Sequence, residues 1–316
     1  MKLVIQIPCY NEEKTLSTTL KSIPRKISGI GKVEILIIDD GSTDATVKVA
    51  KENGADHIVC LRRHEGLAKA FSRGLEESLK LGADIIVNTD ADNQYKGEDI
   101  PRLIAPILEN RADIVIGCHR ISNIKDFTLA KKILQKIGSF MVRKFSATDI
   151  PDTISGFRAF SREAALRINI FSRYTYTIEN IIQAGRKGIP TTYIFVDTNR
   201  KLRESRLIKS VPVYIFRSAF TMLRMYLLYE PMKFFLKIGA VLMGTGGVLG
   251  CRYLYFFFFG TRRGGHIQSL ILAAILIIMG VQTIIIGLLA EVIGVNRQLG
   301  EEILYRQKKE SYSINK

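Results

Sequence analysis

Tryptophan is absent from the 316 residues, which excludes every signature motif that needs one. Cysteine occurs four times, as Cys9, Cys60, Cys118 and Cys251. These positions are scattered, without the paired spacing of a zinc site, and read as reduced cytosolic thiols. No apolar segment precedes the first strand-like run, so no secretory signal is expected and the N-terminal region is expected to begin in the cytosol. Negative charge is also scarce: 30 Asp and Glu stand against 46 Lys and Arg, a net charge of +16. Such an excess suits nucleic acid, or an anionic membrane face together with phosphate-bearing ligands. The basic residues thicken in "NRKLRESRLIK", just ahead of the longest apolar stretches, which favours the membrane over nucleic acid.

Those stretches are "FFLKIGAVLMGTGGVLGCRYLYFFFF" and "IQSLILAAILIIMGVQTIIIGLLAEVIG". Each exceeds the roughly 20 residues that a helix needs to cross a bilayer. The connector "GTRRGGH" is short, so an antiparallel hairpin is expected over residues 233–295. Arg217, Arg224 and Lys233 precede the hairpin, and Arg297, Arg306, Lys308 and Lys309 follow it. They outnumber Arg262 and Arg263 in the connector, so both outer ends are expected on the cytoplasmic side. Residues 207–232 mix aromatics with spaced arginines, as helices lying in the headgroup layer do. Residues 296–316 are expected to form a cytoplasmic tail.

The first 206 residues have a different texture. "KLVIQI", "VEILIID", "HIVCL", "DIIVNT" and "DIVIG" are short, continuous apolar runs, the pattern of buried parallel strands. Helical patterns lie between them near residues 12–22, 44–53, 66–81 and 99–110. This alternation predicts an α/β fold with an open, mostly parallel sheet. In such sheets a ligand sits beyond the carboxyl ends of the strands.

Three of those ends carry acidic or turn-forming clusters. "PCYNEE" ends the first strand at Pro8, which cannot donate to a ladder. Glu12 and Glu13 suit the positive end of the next helix. In "DDGSTD", Gly41 permits the turn and Ser42 or Thr43 can cap a helix, which leaves the adjacent Asp39 and Asp40 unexplained. A carboxylate there can accept hydrogen bonds from a base or ribose. "NTDADNQY" places Asp90 and Asp92 two apart, on one side of an extended segment. Their hard oxygens suit Mg²⁺ or Mn²⁺ bridging to phosphate, although Asp-x-Asp is also frequent in ordinary turns.

In this order and spacing, "PCYNEE", "DDGSTD", "TDADNQ" and "SGFRAFSREA" resemble the family two glycosyltransferases of the GT-A fold. More narrowly they resemble the polyprenyl-phosphate type, of which dolichyl-phosphate mannose synthases are one kind. The resemblance covers residues 1 to about 230, and a two-helix membrane hairpin after the catalytic domain also occurs in that family. It implies that Pro8, Tyr10, Glu12 and Asp40 hold the base and ribose of a nucleotide-sugar, with Asp39 beside them. It implies that Asp90, Asp92 and Gln94 serve the metal and diphosphate, and that Arg120 of "GCHR" and Arg203 of "KLRESRL" lie at the phosphates.

Relatives that transfer to a sugar hydroxyl carry a Glu-Asp pair to remove its proton. The corresponding stretch "TIENIIQAGRKG" has Glu179 but Asn180 in second place. A polyprenyl phosphate is already ionised and needs no strong base, so the missing acid fits a phosphate acceptor; Glu179 equally suits a helix start. Lys131 and Arg158 are the candidates for the acceptor phosphate. Asp92, Glu179 and Arg203 are the candidate catalytic residues. The expected enzyme is therefore an inverting hexosyltransferase at the cytoplasmic face of the cell membrane, with room for a homo-oligomer. A polysaccharide or glycolipid synthase is the alternative enzyme, disfavoured by two membrane helices and the missing Gln-x-x-Arg-Trp signature. A non-catalytic membrane partner is the other alternative, disfavoured by the intact Asp90 and Asp92.

Overall fold

The computed structural model describes residues 1–119, 148–171, 176–199, 211–259 and 267–313; the side chains of residues 211–218, 222 and 313 fall outside that description. They form two compact units, Met1–Met222 with Leu304–Lys316, and Leu223–Ile303.

The first unit is built on a seven-stranded sheet of order β3-β2-β1-β4-β6-β5-β7. The strands are β1 (Lys2–Cys9), β2 (Lys32–Asp39), β3 (His57–Cys60), β4 (Ile85–Asn88), β5 (Ile114–His119), β6 (Arg158–Ser161) and β7 (Thr191–Val196). β6 runs antiparallel between β4 and β5, and the other pairings are parallel. All five expected strands and all four expected helices are present: α1 (Leu16–Ser22), α2 (Thr46–Glu52), α3 (Leu67–Lys80) and α4 (Ile100–Leu108). The sequence reading omitted β6, β7 and α5 (Arg162–Arg167) as elements, and offered a helix start at Glu179 where α6 (Thr177–Arg186) runs.

Burial on both faces of the sheet explains the continuous apolar strands. Leu3, Ile5 and Ile7 join Leu16, Leu20, Leu103 and Ile104 in one core layer, on the side of α1 and α4. On the other side Gln6 meets Gly74 of α3. Pro8 does not end β1, which continues to Cys9 opposite Asp39. β4 pairs with β1 only from Leu3 to Gln6, so no ladder toward β4 needs an N–H from Pro8.

The second unit contains α8 (Pro231–Phe259) and most of α9 (Ile267–Ser313), two helices long and apolar enough to cross a membrane. They follow α7 (Val211–Tyr229), one helix where interfacial helices were expected. At 29 residues, α8 measures about 43 Å, above the roughly 30 Å of a hydrocarbon core. Their outward side chains are apolar: Phe258, Phe259, Val248, Ile278, Leu289 and Ile293 are all exposed. Small residues let the helices approach. A Cβ at Gly239 would come within 2.8 Å of the Gly280 carbonyl, and one at Gly280 within 3.0 Å of the Gly239 carbonyl.

No separate tail begins at residue 296, because α9 continues to Ser313. Arg297 pairs with Glu301 one turn on and lies over the Tyr229 ring. Beyond Ile303 the helix belongs to the first unit. Tyr305 donates to Glu163 Oε1 (2.7 Å), Lys308 to Asn169 Oδ1 (2.9 Å), and Arg162 to the Tyr312 carbonyl (2.9 Å).

Candidate active site

The turns after β1 and β2 are bound to each other. Asn11, in the left-handed region at φ 55°, accepts from Thr43 N through Oδ1 (2.8 Å) and donates its own N–H to Ser42 Oγ (2.9 Å). Glu12 N donates to Thr46 Oγ1 (2.8 Å), and Ala45 N donates to Glu13 Oε2 (3.0 Å). Glu12 itself is buried and accepts from Thr15 Oγ1.

Asp39 and Asp40 are both buried and serve this scaffold. Asp39 accepts from Ser42 N, closing the turn. Asp40 takes the backbone N–H groups of Glu65 and Gly66 (2.8 Å each) and lies 2.8 Å from His64 Nδ1. The expectation was a direct contact with base or ribose; at 3% exposure, the Asp40 carboxylate is engaged by the loop after β3. The result reaches solvent through His64, which stacks on Tyr10 with ring centroids 3.9 Å apart. Tyr10 directly follows β1, whereas its partner His64 was missed by motif reading because it comes from a different loop.

β4 delivers the second cluster. Asn88 is a polar residue at the end of a fully buried strand and sits in a closed network. Its amide donates to the Gly156 carbonyl (2.8 Å) and to the Tyr176 hydroxyl (2.9 Å), while its Oδ1 accepts from Gln6 (2.9 Å). Tyr176 stacks on Phe71 at 3.8 Å. This network fixes the floor under Asp90, whose oxygens lie 2.9 and 3.0 Å from where a Cβ of residue 156 would be. A side chain there would force Asp90 or Tyr176 to shift. Burial raises the pKa of the Tyr95 and Tyr176 hydroxyls, and the Asp90 charge raises both further.

Asp92 Oδ1 accepts from Gln94 N (3.1 Å) across a turn with Asn93 at φ 57°. Gln94 in turn offers its carbonyl to Asn199 N (2.9 Å). Asp90 and Asp92 are half-buried at one strand end and present hard anionic oxygens. That donor set fits Mg²⁺ or Mn²⁺. No group of three or more His, Cys, Asp or Glu side chains able to hold a metal occurs among the described residues.

Arg158 corrects another expectation. It is 0% exposed and donates to the carbonyls of Ser155 (2.8 Å), Thr177 (2.8 Å) and Thr153 (3.1 Å). Its guanidinium ties the segment before β6 to the start of α6, inside the core. Glu179 is buried on α6 and accepts from Phe171 N (3.0 Å) and Gln183 Nε2 (3.4 Å). Asn180 beside it is 1% exposed, and its side-chain amide has no hydrogen-bond partner among the described residues. Arg120, Lys131 and Arg203 lie outside the described residues.

The profile of glycosyl transferase family 2 matches residues 4–168. The chain is similar to the UDP-N-acetylglucosamine–dolichyl-phosphate N-acetylglucosaminyltransferase of Methanococcus voltae, with 33% identity over 177 residues, covering 50% of this chain and 68% of the relative. It is also similar to the undecaprenyl-phosphate mannosyltransferase of Micrococcus luteus, with 27% identity over 222 residues, covering 66% and 88%. In fold it is similar to the glucosyl-3-phosphoglycerate synthase of Mycobacterium tuberculosis, crystallised with Mn²⁺, UDP and glucosyl-3-phosphoglycerate. The TM-score there is 0.54 at 20% identity, over 70% of this chain and 79% of that one.

Proposed function

Because the chain belongs to glycosyl transferase family 2, we propose that it transfers a hexose, with inversion, from a UDP- or GDP-linked donor to a polyprenyl phosphate at the cytoplasmic face of a membrane. Undecaprenyl and dolichyl phosphate are the two acceptor types. The observation that carries this reading is the Asp90–Asp92 pair at the end of β4, held over the Gly156 floor on the same sheet edge as the Tyr10–His64 stack. The names of the relatives support the acceptor, and α8 and α9 support the membrane.

In this mechanism the Tyr10–His64 pair receives the nucleotide, with Asp39 and Asp40 holding the loops that carry it. Asp90 and Asp92 would hold the divalent ion, with Gln94 beside them. When bound, that ion neutralises charge developing on the leaving diphosphate. Arg120 and Arg203 are proposed for the same phosphates, and Lys131 for the acceptor. Position 180 supports a phosphate nucleophile, because asparagine cannot accept a proton from a hydroxyl at any working pH. Glu179 then acts by holding Phe171 and Gln183.

The test is a panel of radiolabelled nucleotide-sugars offered to membranes containing either polyprenyl phosphate or polyprenol, followed by lipid extraction. Label should enter lipid with one donor, a divalent ion and the phosphate acceptor, and should vanish in Asp92→Asn. Equal labelling of polyprenol, or a product that grows into polymer, overturns the reading.

A further inference from the structure

β5 ends in His119, whose imidazole is only half committed. Nδ1 lies 2.7 Å from Asp152 Oδ2, and the backbone N–H of His119 donates to the same oxygen at 3.3 Å. Asp152 is 3% exposed, and its other oxygen accepts from Ile154 N (3.1 Å). Burial pushes the Asp152 carboxyl up, but the hydrogen bond and charge of His119 more than offset this, so its pKa is lowered and it stays anionic. An anionic partner makes Nδ1 the protonated nitrogen and fixes the ring plane. The ring rests on Tyr95, centroids 5.3 Å apart.

Nε2 is buried and has no hydrogen-bond partner among the described residues. Such atoms are rare in folded proteins and ask for a partner of some other kind. The surroundings say which. The Tyr95 hydroxyl receives Gly156 N (3.1 Å), and Gly156 is the floor of the Asp90 carboxylate. His119 is therefore linked to Asp90 through Tyr95 and Gly156, from the carboxyl end of β5, which antiparallel β6 separates from β4. We propose that His119 is a phosphate-binding residue of the transfer site, its protonated Nε2 donating to an anionic oxygen of the donor diphosphate or of the acceptor phosphate, with Asp152 as its positioning residue.

This inference rests on the transfer reaction proposed above and adds a residue to it. A carboxylate–histidine pair also presents imidazoles to metals, but no group of three suitable side chains able to hold a metal exists among the described residues. His119 is thus not a third ligand beside Asp90 and Asp92. The same pair can also orient a general base, and the two roles have opposite pH signatures. As a neutral ring, Nε2 carries a lone pair that repels phosphate oxygen. Protonation turns it into a donor. Among the described residues the groups that face the ring are Asp152, from the segment before β6, and Tyr95, from the segment after β4; Asp152 in turn acts on Arg158, and Asp90 on Tyr95.

The experiment uses full-length protein in membranes and measures kcat and KM for nucleotide-sugar and for polyprenyl phosphate between about pH 6 and 8. His119→Gln should raise one of the two KM values by about tenfold, the scale of a hydrogen bond to a charged group, with kcat nearly unchanged. The KM that moves identifies which phosphate is held. In the wild type that KM should rise with pH more steeply than in His119→Gln. His119→Arg, which keeps a cation, should retain a low KM without that dependence, and it carries the test if the glutamine variant fails to fold. Unchanged KM values and pH profiles in both variants overturn the inference. So does a collapse of kcat in His119→Gln with wild-type activity rising with pH, which marks a base. A wild type that transfers no sugar to polyprenyl phosphate instead sinks the functional reading itself.

Discussion

Replacing Gly156 by alanine adds one methyl group to the floor under Asp90. The new carbon would lie 2.9 and 3.0 Å from the Asp90 oxygens and 3.0 Å from the Tyr176 hydroxyl, against about 3.5 Å for a relaxed contact. Something must therefore yield by about half an ångström. Tyr176 is fully buried, stacked on Phe71 and held by Asn88. The backbone of residue 156 is held at both its N–H and its carbonyl. Asp90, half-buried at the strand end, is the group that moves. Productive sites tolerate about 0.5 Å of misplacement, and 1 Å can cost about a hundredfold. We expect kcat to fall about tenfold and the Mn²⁺ concentration for half-maximal rate to rise. Overpacking should cost about 1–3 kcal/mol, visible as a Tm lowered by several degrees. Initial rates across a Mn²⁺ series, with thermal unfolding alongside, measure all three. Wild-type rates at the wild-type Mn²⁺ midpoint, with only the Tm changed, would refute the claim that Gly156 positions Asp90.

Other substitutions separate scaffold from chemistry. Arg158→Ala removes the buried guanidinium that donates to the Ser155, Thr177 and Thr153 carbonyls and should cost about 3–5 kcal/mol in urea unfolding; a selective rise in acceptor KM at unchanged stability would instead restore a direct phosphate role. Glu179→Gln keeps an oxygen for Phe171 N, so transfer should remain within about tenfold of wild type; loss as complete as in Asp92→Asn would reinstate Glu179 as a base. Glu34 sets a pH dependence of stability. Burial raises its pKa, but Lys2, Lys32 and His57 lower it further, from 4.5 to about 2. A depressed carboxyl stabilises the fold above its unfolded pKa and loses that contribution as pH falls toward 2, an amount of ~3 kcal/mol reduced by screening at the exposed Lys32. Glu34→Gln should therefore be less stable than wild type at pH 7, with the gap narrowing at pH 3; an equal gap at both pH values would rule out this linkage.

The parallel half of the sheet was legible because its strands are buried on both faces and read as unbroken apolar runs. β6 was hidden because four residues, "RAFS", alternate too briefly to show a period, and Arg158 within it looked like a surface cation. β7, "TTYIFV", was passed over although its residues favour strands. The motif ends located Asp90 and Asp92 correctly at a strand tip. What they could not show was the division of labour. Asp40 and Asp92 look alike in a sequence, yet three loop donors surround one, while the other keeps an oxygen at the rim. Asn88 did leave a trace, as a polar residue closing a buried apolar strand, which signals a paired network. His119 and Asp152 left none, being 33 positions apart and joined only by the pairing of β5 with β6.

The last turns of α9 make the first unit discontinuous along the chain, and this bears on how the protein is made. Tyr305, Lys308 and Tyr312 cover Glu163, Asn169 and Arg162, yet they are translated only after the whole of α8 and the apolar part of α9. The nascent sheet domain must wait, with that face of α5 bare, until the hairpin has been synthesised. Completion of the first unit thus follows synthesis of both long apolar helices, and a ribosome stalled between them holds a sheet domain that still lacks this cover.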